Sequence, residues 1–161
     1  LALAMVALHT STYARLNEYL DEYVSAADFI APNTTLLPLC FTHNGHDEGA
    51  FLSRRIGLFL HASGHIAAQR RIVELDNYEG NTTYFPVMFR EEVNAFRHMG
   101  TLEAQPPKVD IQAYVAKTGG RVDYVLVWTS ARISATTRTR SLYSVSSTRG
   151  IISSTPRSRA A

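Results

Sequence analysis

Four histidines, His43, His46, His61 and His65, fall into two groups. The first pair lies in the polar stretch THNGHDEG with Asp47 and Glu48; the second is four residues apart in GLFLHASGHIAAQRR. Imidazoles at i and i+4 leave one face of a helix, and with a carboxylate they can complete a tetrahedral or octahedral site for a divalent ion. Position 62 is Ala, so the HExxH helix of hydrolytic zinc enzymes is not present. A plainer account, one histidine in a core hydrogen bond and the others solvated, carries more weight, and no cofactor beyond that divalent ion is expected. Asp76, Tyr78 and Glu79 form a second group in the turn DNYEGN. They would line a polar ligand pocket at the end of a sheet, where open α/β sheets bind ligands. Carboxylates in turns are also common caps.

Other constellations give less. Gly119-Gly120 leads into a strand and not a helix, and Ser63-Gly64 lacks a preceding strand, so neither a phosphate loop nor a nucleophile elbow is read. Cys40 is the one cysteine, which excludes an intrachain disulfide and a thiolate cluster. It stands in an apolar run and reads as a small buried hydrophobe.

The elements that would position these groups follow from periodicity. Ser11 or Thr12 is expected to cap a helix reaching Ile30, with Tyr13, Leu16, Leu20, Tyr23, Val24, Ala27 and Ile30 on its apolar face, and Pro32 to stop it. A second helix is expected over 54–70. A third, over 110–118, would be capped by Asp110 and ended by Gly119. Strands are expected near 35–41, 82–90 and 122–128, with Pro38 marking an edge or an early end of the first. A short helix is expected over 91–98. This order gives an α/β fold, a layered and at least partly parallel sheet of three or more strands with covering helices. Leu37, Leu39, Phe59, Leu60, Val125 and Val127 should fill its core.

Composition divides the chain unevenly. The net charge of +2 joins residues 1–130, with 10 basic and 14 acidic side chains, to residues 131–161, with 6 Arg and no acid. The division expected is an apolar stub at 1–9, one α/β domain at 10–130, and a tail at 131–161 in which 13 residues are Ser or Thr. Such a tail reads as a disordered basic segment that could meet nucleic acid, or as an out-of-frame stretch. The second is preferred, and nucleic acid is not an expected partner. The stub LALAMVAL is shorter than the ~20 residues that span a bilayer. It is either the start of a buried helix or strand, or the end of a membrane helix.

An acidic amphipathic helix, a Pro32-Asn33-Thr34 turn into TLLPL, then HASGHIAAQRRIVELDNYEGNTTYFPVMFR and GGRVDYVLVW follow one another in that order. This arrangement over roughly residues 1–130 resembles the C-terminal extracytoplasmic region of bacterial polytopic membrane proteins similar to mannosyltransferase-type, lipid-linked-sugar glycosyltransferases. The resemblance implies that Leu1 to Leu8 end the last membrane helix and that the domain is a non-catalytic accessory on the extracytoplasmic face. Its partners would be the membrane-embedded part of the same parent chain and a glycan or lipid-linked sugar. The acidic catalytic residues of such enzymes belong to loops near the start of the parent chain, so none is carried over here. The Ser/Thr/Arg tail departs from the pattern, where a final strand is expected. The alternative is a free-standing α/β enzyme or a small-ligand or metal-binding domain, cytoplasmic in that case, that uses the histidine group with Asp76 and Glu79.

Overall fold

The computed structural model describes residues 2–47, 50–128, 140–145 and 152–153, with 46–47, 140–145 and 152–153 described by backbone alone. The chain opens with a helix, α1 (Ala2–Val24), and a 3₁₀ segment, Ser25–Phe29, continues it. The helix therefore begins well before Ser11 and Thr12. Neither residue caps it; both hydroxyls donate to the Leu8 carbonyl at 2.9 Å, inside the helix. Pro32 and Asn33, the latter at φ 59°, turn the chain into β1 (Thr35–Cys40).

Two short strands, β2 (His46–Asp47) and β3 (Ala50–Phe51), pair antiparallel in the connection after β1. Next come α2 (Ser63–Arg70) and β4 (Val73–Glu74). The segment 91–98 folds as a 3₁₀ turn, Glu91–Val93, and α3 (Ala95–His98). A small antiparallel pair follows, β5 (Gly100–Thr101) with β6 (Lys108–Val109), and then α4 (Ile111–Thr118) and β7 (Tyr124–Trp128).

Strands β4, β1 and β7 lie side by side and parallel, with Leu36 opposite Glu74 on one flank and Tyr124 on the other. Beyond β7, β8 (Arg140–Val145) and β9 (Ile152–Ser153) continue the sheet antiparallel. The sheet is thus mixed and covered by helices on both faces, the layered α/β class that strand-helix alternation indicates. The rest of the tail lies outside the described residues.

Strand alternation sorts the core into two halves. Leu36, Cys40, Leu126 and Trp128 face Tyr23, Ala26, Ala27, Ile30, Phe59 and Ile66. Leu37 and Val125 face Leu75, Ala95, Met99 and Tyr114 on the opposite side. The Trp128 ring sits 5.1 Å from Tyr23 and 5.0 Å from Phe59, an aromatic cluster that buries the end of β7. Pro38 pairs in register with Leu126. Beside it β4 has already ended at Glu74, so β1 is locally an edge, as its proline indicates.

α4 follows its signals closely: Asp110 Oδ1 accepts from Ala113 N at 2.8 Å, and Gly119 closes the helix at φ 64°.

Three expectations are corrected. Residues 82–90 do not form a strand; they make a bent loop closed at its root by a hydrogen bond from Phe89 N to Gly80 O, 2.7 Å. The run is rich in β-formers, but β propensity reflects packing against neighbouring strands, and here none lies alongside. Helix 54–70 begins only at Ser63, because Phe59 N donates to the His43 carbonyl and Ile56 N to the Ser53 hydroxyl, holding 53–62 in turns. In those turns Phe59 is buried, whereas Leu60 is 41% exposed and not in the core. Leu39 and Val127 are half-buried.

Candidate functional site

Three parallel strands put their carboxyl ends on one edge of the sheet, and the polar residues of this chain gather there. Glu74 closes β4 and Asp76 follows it; by alternation both belong to the face occupied by Cys40, Trp128 and Tyr23. The opposite, amino edge is marked by Ala31, whose N–H donates to the Tyr124 hydroxyl at 3.4 Å.

Glu74 is held by α2. Ser63, 2% exposed in the first turn of that helix, donates a short hydrogen bond to Glu74 Oε1. Ser63 also stands close enough to the Tyr23 phenol to pull its pKa down against burial, so α1, α2 and β4 meet around one hydroxyl. Gly64, next to Ser63, has only Glu74 Oε2 near its missing side chain, at 3.8 Å.

Burial governs the protonation of the group. It raises the Glu74 carboxyl, against the Ser63 hydrogen bond and the nearby His61, which pull it down. Asp76 is pushed up to about 7, first by burial and then by the charges of Glu74 and Glu103. Among the described residues its buried Oδ1 has no hydrogen-bond partner, nor has the buried Trp128 indole nitrogen on the same face. Burial also pushes the Cys40 thiol up to about 11 and raises the Tyr23 phenol, so neither is a nucleophile at neutral pH. The arrangement can keep a carboxylic acid protonated near neutrality, as a proton donor or as a donor to a ligand oxygen.

The residues expected to do chemistry are only partly brought together. Asp76 belongs to this group. Tyr78 stands at its rim, its ring 5.1 Å from that of His61, and Glu79 is near enough to act on the charge of Glu74. Asn77 organises the turn by accepting from Glu79 N and Gly80 N. His43 lies close to His61, and its pKa is lowered by burial and then by that second imidazole. His65, however, lies within α2 while His61 precedes it, so the two do not share a helical face. The His46 side chain is outside the described residues. Among the described residues, no group of three or more His, Cys, Asp or Glu is placed to hold a metal ion.

Sequence reasoning missed Ser63, Glu74, Tyr23 and Trp128 as members of the site. A signal did exist: Val73-Glu74-Leu75-Asp76 alternates apolar and acidic, the pattern of a strand with one polar face. The neighbouring helix periodicity masked it. No family model, no curated protein and no solved structure matches the chain.

Proposed function

We propose that the chain is a membrane-proximal, non-catalytic accessory domain on the extracytoplasmic face of a bacterial glycosyltransferase-like membrane protein. Its carboxyl-edge group, Asp76, Tyr78 and Glu79 with Glu74 and Ser63 behind them, is the surface offered to a glycan or lipid-linked sugar. One observation carries the membrane part of this reading. Leu3, Met5, Val6 and Leu8 are 86%, 48%, 62% and 59% exposed. At 100° per residue they point to all sides of α1, and residues 2–14 hold no Asp, Glu, Lys or Arg. A helical turn that is apolar all round, as residues 2–8 are, and exposed among the described residues suits lipid or other membrane helices. This half of α1 is about 20 Å long at 1.5 Å per residue, less than a bilayer core. Among the described residues no helix is long and apolar enough to cross a membrane.

Vesicle flotation tests the proposal. The chain should rise with phosphatidylcholine and phosphatidylglycerol vesicles, and a Leu3→Asp, Val6→Asp variant with an unchanged circular dichroism spectrum should stay behind. A wild-type chain that stays behind, or a variant that floats equally, overturns it.

The carboxyl group at the sheet edge favours a second reading, a free-standing ligand-binding or enzymatic domain using the group His43, His46, His61 and His65 with Asp76 and Glu79. A melting temperature raised by zinc or nickel, and lowered again by His43→Ala or His61→Ala, would support it.

A further inference from the structure

The structure leaves a second apolar surface exposed, and it lies at the same edge as the bare half of α1. Two contacts orient α1. Tyr23 packs on Trp128, the last residue of β7, whereas Ala31 bonds to Tyr124, the first. From Ala31 back to Tyr23 the chain therefore climbs from the amino to the carboxyl edge, and the residues before Tyr23 continue past the carboxyl edge. Residues 2–15 are all exposed there. The loop 82–89 springs from the same edge: its root follows Tyr78, which stacks on His61 just ahead of α2, and α2 starts where Ser63 meets Glu74.

That loop has the composition of a membrane-dipping element. From Gly80 to Phe89, GNTTYFPVMF, there is no charged residue. Tyr84, Val87 and Met88 are 79%, 73% and 59% exposed. Its root is fixed: Phe89 N is bonded to Gly80 O, and the Phe89 ring fills the space that a side chain at Gly80 would need, 3.0 Å from the Cβ position. The tip is thus presented on a closed base. Tyr and Phe beside aliphatic residues suit the headgroup and acyl boundary, where an aromatic ring keeps one end in each phase.

We propose that the loop 82–89 is a second lipid contact, so that the carboxyl edge of the sheet, with the Glu74 and Asp76 group, is seated on the bilayer. A bilayer covers two separate uncharged surfaces that face one way. Arg54 and Arg55, exposed beside the exposed Phe51 and Ile56 in the connection after β1, suit anionic headgroups; Glu91 and Glu92 offset Arg90 at the loop's end. The inference rests on the membrane-proximal reading and would place the site where the headgroup of a lipid-linked substrate lies.

The test uses single-cysteine variants in a Cys40→Ala background, labelled with an environment-sensitive nitrobenzoxadiazole dye and mixed with phosphatidylcholine and phosphatidylglycerol vesicles. The positions are Val87→Cys in the loop, Val6→Cys in α1, and Lys117→Cys near the amino edge. Emission at 87 and 6 should move to shorter wavelength and be quenched by nitroxide-labelled lipid, while 117 stays aqueous. In unlabelled protein, Phe85→Asp with Val87→Asp should lower vesicle partitioning about tenfold or more. A shift at 6 without one at 87 overturns this inference and leaves the membrane-proximal reading standing. No shift at either position overturns both. A shift at 87 that needs no vesicles and grows with protein concentration assigns the loop to a second copy of the chain and overturns the lipid contact.

Discussion

Thr35 and Asp123, 88 positions apart in the chain, are joined at the start of the two central strands: Thr35 N donates to Asp123 Oδ2 at 2.8 Å, and Asp123 N donates to the Thr35 hydroxyl at 2.9 Å. The Arg121 guanidinium adds a 2.8 Å hydrogen bond to Asp123 Oδ1. This clasp sets the register in which β1 and β7 run parallel, and the aromatic cluster and the carboxyl edge depend on that register.

Asp123→Asn should loosen the clasp and show its cause through pH. Burial raises the Asp123 carboxyl, but the hydrogen bonds from Arg121 and Thr35 outweigh it, so its pKa is lowered from 3.8. A carboxyl depressed in the folded state gives stability above its unfolded value that is lost as pH falls through the folded one. The variant should therefore be less stable by about 1–3 kcal/mol at pH 7. The gap should close below about pH 4, as read by urea denaturation at several pH values.

Asp76 should act in the opposite sense. Its folded pKa, about 7, lies above the ordinary 3.8, so its stabilising proton is held at low pH and stability falls as pH rises from about 4 through 7. Each unit of such a shift corresponds to about 1.4 kcal/mol before solvent screening. Asp76→Asn should remove most of this slope and raise the melting temperature at pH 8; an unchanged slope would show that Asp76 is ionised in the folded protein.

Two glycines with positive φ should respond unequally to alanine. At Gly100, φ 119°, a Cβ would collide with the Lys108 carbonyl oxygen, whereas at Gly119, φ 64°, nothing among the described residues lies within 4 Å. Gly119→Ala should cost about 1 kcal/mol of left-handed strain, and Gly100→Ala clearly more, with loss of the β5 and β6 pair. Paired chemical denaturation curves measure the difference.

Ser63→Ala should destabilise by about 1–3 kcal/mol, because it leaves the half-buried Glu74 carboxyl without the hydroxyl that donates to it. Ser63→Thr should recover part of this. With the lowering influence of Ser63 removed, Glu74 should titrate still higher, which carbon-detected NMR of the carboxyl reads directly.

Legibility in the sequence followed how local the determining physics was. α4 could be read to within one residue, since its cap, its stop and its periodicity all lie within ten positions. β1 and β7 were visible as apolar runs because both faces of a central strand are covered. What was lost depended on distant partners. The turns at 53–62 are held by the His43 carbonyl, ten or more residues back, and the two-residue β4 is held by the carbonyls of Thr34 and Leu36. The same holds for chemistry: Asp76, Tyr78 and Glu79 stand as a cluster in the sequence, whereas Ser63 and Tyr23 come to Glu74 only through the fold.

Pro38 has a consequence for how this sheet meets other molecules. The carbonyls of Thr34 and Leu36 accept from Val73 N and Leu75 N, so by alternation position 38 faces the same flank, just beyond the last bond of β4. There the chain offers a ring in place of an N–H. An intruding strand that tried to extend the ladder at this flank would meet a missing donor at its first step, which blunts the rim against edge-to-edge aggregation. On the other flank of β1 the sheet continues through β7 to Arg140–Val145.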